Sequence, residues 1–343
     1  MSAALNDSLD KRWLVRPEGS NWGDFGHDDQ RGTLNFISCE RRLAAVREVR
    51  EGRAFVLSLP LDLPGPGIQP PFRHPPRLIE TAGHNLPLER LFPVEQAIDI
   101  GCDDAVTLYL QYSTQWDALS HIGARFDANG DGIDEIVYYN GYRANEDIVG
   151  SSQDEGPRAH KLGIEHLAES GIQGRGVLVD LYAVYGESKV QVGFDALMTV
   201  LEQQQIIVEE GDILCLHTGF AGKIMNEGRD ACPEMLAQSF VNLDGHDRRL
   251  QQWIKDSRIA AIVCDNVAVE SMDVACHTQM HDVVLPLHHH CLFKLGMPLG
   301  ELWYLTELAA HLRETGRTRF LLTAPPLRLP GAVGSPVTPV ATV

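Results

Sequence analysis

TLYLQYSTQWDALSH, residues 107–121, is the stretch from which both the fold and the chemistry are read. Its first half alternates as a strand does. Val106, Leu108, Leu110 and Tyr112 fall on one side, and Thr107, Tyr109, Gln111 and Ser113 on the other. Extending the period of two puts Gln111, Ser113, Gln115 and Asp117 on a single face. Two amides, a hydroxyl and a carboxylate in a row suit the wall of a polar pocket better than a core. An antiparallel edge strand with one solvated face reads the same way. His121 follows Asp117 by four residues, so a turn after the strand returns the imidazole to the carboxylate.

Around this stretch the chain spells alternating strands and helices. Ser38 caps a helix running CERRLAAVREVREG to Gly52, and Phe55–Leu63 alternates as a strand. The proline-rich segment PGPGIQPPFRHPPR cannot enter a sheet interior and predicts a rim over a pocket. His74 within it and His84 just after it read as solvated loop histidines. DANGDGIDE (127–135) fits the first half of a calcium loop, but Tyr138 occupies the twelfth position where a bidentate Glu belongs. It reads instead as a Gly-Asp turn between strands. GIEHLAESGI, 194–205 and 248–255 read as helices; RGVLVDLYAVYG, EEGDILCLHTGF and RIAAIVCDNVAVES read as buried strands. Asp265, Asn266 and Glu270 gather at the end of the last of these, where functional groups and structural caps both collect.

Composition narrows the class. At 343 residues the chain buries a large core, with residues 1–20 as a flexible polar lead-in to one domain over 1–343. A net charge of −18 argues against a nucleic-acid partner, which needs a basic surface. Seven cysteines, scattered and without a Cys-x-x-Cys, suit reduced thiols. No apolar leader opens the sequence and no apolar run is long enough for a membrane span. The expectation is a cytoplasmic protein with no membrane contact and a small-molecule substrate. Neither a Walker loop, a GxGxxG nor a GxSxG elbow is present.

The C-terminal third adds metal-binding residue types. His277 and His281 are spaced to share a helix face. His288, His289 and His290 follow, then CLFKLGMPLGELWYLTELAAHL. Gly296 and Pro298 break the helix carrying the histidines, and Glu301 is expected to open the next. Because successive helical residues are turned about 100° apart, only one of His288 and His289 can face inward. The tail APPLRLPGAVGSPVTPVATV has the composition of a disordered segment.

Several of these stretches resemble the putative cyclase family, which includes bacterial kynurenine formamidase and isatin hydrolase. Thr114, Asp117 and His121 keep the spacing of its His-x-Gly-Thr-His-x-Asp-x-Pro-x-His signature. Gln111 and Gln115 stand at its two leading histidines, Ser113 at its glycine and Leu119 at its proline. The segment is therefore similar to a Gln-Trp-Asp branch. NWG-x-x-G-x-x-D-x-x-GTLN near the N-terminus, the Gly-Asp-Ile…Thr-Gly-Phe ending, Leu-His…Gly-Met-Pro-x-Gly-Glu and Pro-Gly…Gly-Ser-Pro-Val-x-Pro resemble the family in the same order. The resemblance implies an α/β fold of the swivelling β/β/α kind, a β-rich core with flanking helices, and a tail that packs back on it. It implies one divalent metal ion, Mn or Zn, with ligands among Asp117, His288 or His289, and Glu301. His288 fits the branch's form slightly better. Gln111 or Gln115 supplies amide oxygens or orients water, and Trp116 and Glu270 are candidates to touch substrate. The implied reaction is hydrolysis of a small amide, lactam or lactone by metal-activated water, with Asp117 and His121 catalytic and His121 as general acid–base. A non-hydrolytic lyase or cyclase, or a metal-free ligand-binding relative, is the alternative. A homo-oligomer, dimer or tetramer, is also implied.

Overall fold

A computed structural model describes residues 11–92, 94, 96–152, 156–271 and 283–343. His277 and His281 lie outside the described residues.

One nine-stranded mixed sheet organises the chain. In chain order its strands are β1 (Ala54–Val56), β2 (Gln115–Asp117), β3 (Gln173–Asp180), β4 (Ile213–His217), β5 (Ala261–Cys264), β6 (Leu299–Glu301), β7 (Arg319–Thr323), β8 (Gly334–Pro336) and β9 (Val340–Thr342). Across the sheet they run β1-β9-β7-β3-β4-β5-β6-β2-β8. β3, β4, β5 and β6 are mutually parallel, and every other pairing is antiparallel. The parallel strands are the apolar runs. All residues of β4 and β5 are buried, as strands covered on both faces must be. The helices expected at 39, 194 and 248 form α1 (Cys39–Val46), α2 (Phe194–Gln203) and α3 (Arg248–Asp256). Ser38 caps α1 by accepting Arg41 N at 3.2 Å. This is the α/β, β-rich fold with flanking helices read from the sequence.

Three expectations give way. The long strand over 106–113 does not exist. Residues 100–107 pair instead with Arg77–Pro87 in a separate, largely exposed hairpin, the chain turns over 110–114, and only Gln115–Asp117 joins the main sheet. Glu301 does not open a helix: it ends β6, and the helix α4 (Thr306–Thr315) starts five residues later. The lead-in is anchored from Trp13, which is buried and packs edge-on against Trp22 with centroids 5.6 Å apart.

The tail closes the fold. β8 pairs with β2 in register Gly334↔Asp117, and β9 lies between β1 and β7. Gly-Asp turn chemistry also holds at 127–135, which joins two short strands. The Asp127 carboxylate accepts Gly130 N at 2.6 Å and Gly132 N at 2.8 Å, so its oxygens are committed to the turn.

Candidate metal centre

β2 and β6 run antiparallel with Gln115 opposite Glu301 and Asp117 opposite Leu299. Period-two geometry puts Gln115 and Asp117 on one face and Trp116 on the other. Trp116 is fully buried, donates its indole N–H to Ala324 O at 2.8 Å and meets Trp303 edge-on at 5.1 Å. It anchors the strand in the core and does not line the site, which corrects the expectation that it touches substrate. Its cross-strand neighbour is Gly300, where a Cβ would come within 2.9 Å of Trp303 Nε1 and of Val263 Cγ2. The strand pair closes because that position carries no side chain.

The third element is the helical turn Pro286–His288, continued as a π-helix over His289–Leu295 and stopped by Gly296 in the left-handed region. The N-terminal segment clamps it. Trp22 Nε1 donates to Phe293 O at 2.8 Å, Asn21 N to Lys294 O at 2.9 Å and Thr33 N to Gly296 O at 2.9 Å. Gly32, at φ 54°, approaches so closely that a Cβ there would lie 1.7 Å from Gly296 O. The glycine-rich motif near the N-terminus therefore serves to hold the histidine-bearing segment in place.

His288 is the histidine that faces in. Its Nδ1 is bound to Glu270 Oε1 at 2.8 Å, and its Nε2 lies 3.2 Å from Glu301 Oε1 and 3.9 Å from Asp117 Oδ2. His289 turns away and packs on Phe293 at 4.9 Å, and burial pushes its pKa down to about 4. His289 is thus removed from the ligand set. Glu270 is also reassigned: its oxygens accept Leu287 N at 2.8 Å, His288 N at 2.9 Å and His288 Nδ1. It orients the histidine, with both of its oxygens engaged in doing so.

Asp117, His288 and Glu301 bring one ligand atom each to within 4.8 Å of one another, all three residues buried. Gln115 donates Nε2 to Glu301 Oε2 at 3.0 Å. Its Oε1 and both carboxylate oxygens of Asp117 are buried without a hydrogen-bond partner. Burial, reinforced by the Glu301 charge, raises the Asp117 pKa, while His121 and His288 oppose the shift. For His288 burial acts downward, but the hydrogen bonds from Glu270 and Glu301 and the charge of Asp117 outweigh it and raise the pKa to about 10. The buried Asp117 carboxylate, with both oxygens unpaired, suits a cation, because an orphaned acceptor of this kind costs stability. The donor set, two carboxylates and one imidazole oriented by a further carboxylate, fits a divalent metal ion.

His121 reaches the same place by the turn after β2, its N donating to Ala118 O at 2.9 Å. Its Nε2 stands 3.8 Å from Asp117 Oδ1, and at 19% side-chain exposure it is the more open of the two. Gln111 lies off the strand. Its backbone carbonyl accepts Arg73 Nη1 at 3.1 Å, and its amide lies against Gly334 with Nε2 unpartnered. The proline-rich loop does form a rim: Gly67, Gln69 and Arg73 wall a cavity that extends to Glu270. Arg73 and Gln69 are residues the sequence analysis did not single out; an amide and a guanidinium on a proline-rich rim were the available signal.

The chain is thus a mixed α/β protein built around a buried carboxylate–histidine centre. It belongs to the putative cyclase family, whose sequence profile matches residues 55–271. A crystal structure described as a novel cyclase is 34% identical and superposes with a TM-score of 0.74, over 94% of this chain and 99% of that one. Isatin hydrolase A from Ralstonia solanacearum shares the fold at 13% identity and a TM-score of 0.53, over 84% of this chain and 91% of that one. An isatin hydrolase bound to the product analogue thioisatinate does so at 12% identity and 0.55, over 89% and 99%. No protein of curated function matches the chain. Among the described residues, no helix is long and apolar enough to cross a membrane.

Proposed function

We propose that the protein is a metal-dependent hydrolase of a small amide, lactam or lactone, acting with a single divalent ion. The observation that carries this reading is the pair of unpartnered Asp117 oxygens facing His288 Nε2 and Glu301 in a buried site. Asp117, His288 and Glu301 would hold the ion, and Gln115 Oε1 is placed on the same face to add an amide oxygen or orient water. A divalent ion there supplies Lewis-acid polarisation of a carbonyl and acidifies water. Two carboxylates against one imidazole favour a harder ion such as manganese over zinc.

The chain's own residues do the rest. Glu270 fixes the His288 tautomer by accepting a hydrogen bond from Nδ1–H, which leaves Nε2 as the ligand atom. His121 Nε2, partly exposed and beside Asp117, accepts a proton from water and returns it to the leaving nitrogen or oxygen. The walls of β2 and β6 keep bulk water from the carboxylates. The homo-oligomer implied by the family remains part of the proposal, and Leu78, Ile79, Ile100 and Val106, all exposed on the hairpin, support it.

The test is metal analysis of chelator-stripped, reloaded protein together with turnover of amide, lactam and lactone panels in ¹⁸O-water. One ion per chain and label in the product support the reading. Tight binding of two ions contradicts the single-ion centre. Turnover without label makes the enzyme a lyase or cyclase, and absence of any bound ion makes it a binding protein.

A further inference from the structure

Beside the centre lies a cavity of about 540 Å³, a volume that suits a small organic molecule. One wall is apolar, made by Ile68, Phe220, Leu236 and Val267. The opposite character comes from Arg73 on the proline-rich loop. Glu270 is the acidic residue among the described lining residues, and its oxygens are already occupied by His288 and the backbone. A chain of net charge −18 repels anions at a distance, so a cavity with this inventory is a local exception.

Arg73 is held for a purpose. Its Nη1 donates to Gln69 Oε1 and to Gln111 O, both at 3.1 Å, which leaves further guanidinium N–H groups on Nε and Nη2. No carboxylate pairs with it among the described residues. Gln69 is 8% exposed, and its Nε2 is buried without a partner. An unengaged amide donor next to a guanidinium fixed through the same amide forms a site lacking its acceptor.

We infer that the substrate carries a carboxylate, received by Arg73 and Gln69 Nε2, and an apolar body laid against Phe220, Leu236 and Val267. This rests on the hydrolase reading for the bond that is cleaved, but the acid recognition itself does not require the ion.

The experiment is calorimetric titration of the full chain with phenylacetate and with its neutral isostere phenylacetamide, each in chelator and again with manganese. The acid should bind about 10- to 100-fold more tightly than the amide in chelator, the range expected for a charge-assisted hydrogen bond. Arg73→Gln should abolish that preference, Gln69→Ala should reduce it, and Arg73→Lys should retain part of it, with circular dichroism confirming each fold. Equal binding of the two probes, a preference that survives Arg73→Gln, or failure of phenylacetate to bind at millimolar concentration overturns the inference. A preference that appears only with manganese and ignores Arg73 gives the carboxylate to the ion, which overturns the inference while leaving the hydrolase reading intact. A chelator-independent preference in a protein that binds no metal sustains the inference and removes the hydrolase reading alone.

Discussion

Two buried acid–histidine clusters sit along the same sheet, each with a histidine Nδ1 held by a carboxylate at 2.8 Å, and they differ in whether every carboxylate oxygen has a donor. At the first, Asp180 at the end of β3 holds His217 Nδ1 at 2.8 Å and Ala183 N at 3.0 Å, and it pairs with Arg313. Nearby Asp265 accepts Thr218 N and Oγ1 at 2.7 Å and Gly219 N at 2.9 Å. Every carboxylate oxygen there has a donor. At the second, Asp117 is as deeply buried and has none. The first cluster is complete in the folded chain and ties strand ends to helices. The second is complete only with a cation. Counting acids and histidines does not separate the two; counting satisfied oxygens does.

The difference has consequences for mutation. Asp117→Ala should abolish both metal content and turnover, since Glu301 is then the one carboxylate left among the three ligands. A full complement of metal in this variant would disprove the ligand assignment. Without metal, the two aspartates should move stability in opposite directions. Asp117→Asn removes a buried charge whose oxygens accept no hydrogen bond and should leave the metal-free protein as stable as the parent or more so. Asp180→Asn breaks a paired network and should cost about 3 kcal/mol, read by chemical denaturation. The Asp180 pKa is lowered: burial pushes it up, but the hydrogen bond and charge of His217 and the hydrogen bonds from Arg313 and Ala183 N win. Its contribution is therefore present above the ordinary carboxylate pKa of about 4 and lost as pH falls through the lowered folded value. The excess stability of the parent over Asp180→Asn should shrink on acidification through that window. A constant difference would show that the network does not depend on the Asp180 charge.

His121 sits between the two cases, facing Asp117 yet partly open. His121→Gln should keep the metal and slow turnover by about 100-fold or more. Equal loss of metal would make it a ligand, and unchanged kinetics would make it structural.

Legibility in the sequence followed burial. The parallel strands were readable because two-sided burial demands unbroken apolar runs. The site-bearing strand was misread in length: residues 106–113 alternate well enough to be a strand, but the turn over 110–114 is dictated by the Arg73–Gln111 and Thr114–Leu59 contacts, which are remote in sequence. The same alternation contained the position of Trp116, since a residue between Gln115 and Asp117 has to face away. Glu270 could not be assigned from sequence, because its role depends on meeting two backbone N–H groups 17 and 18 residues away. His217 and Asp180 gave no signal, lying inside runs read purely as buried strand.

The smallest effect probes the glutamines. Gln115 faces the centre from β2, whereas Gln111 lies on the turn with its amide against Gly334. Restoring histidine at both positions should raise zinc affinity, because imidazole binds zinc better than an amide does. The geometry divides that gain unequally. Gln115→His should carry most of it, about tenfold, while Gln111→His alone should add little, since the turn and not the strand sets its direction. Neither change should raise activity, because a second ion would need orienting partners of the kind Glu270 gives His288. Competitive zinc titration of the two single variants and the double variant decides the matter: equal gains from each would return Gln111 to the strand face, and no gain from Gln115→His would remove Gln115 from the centre.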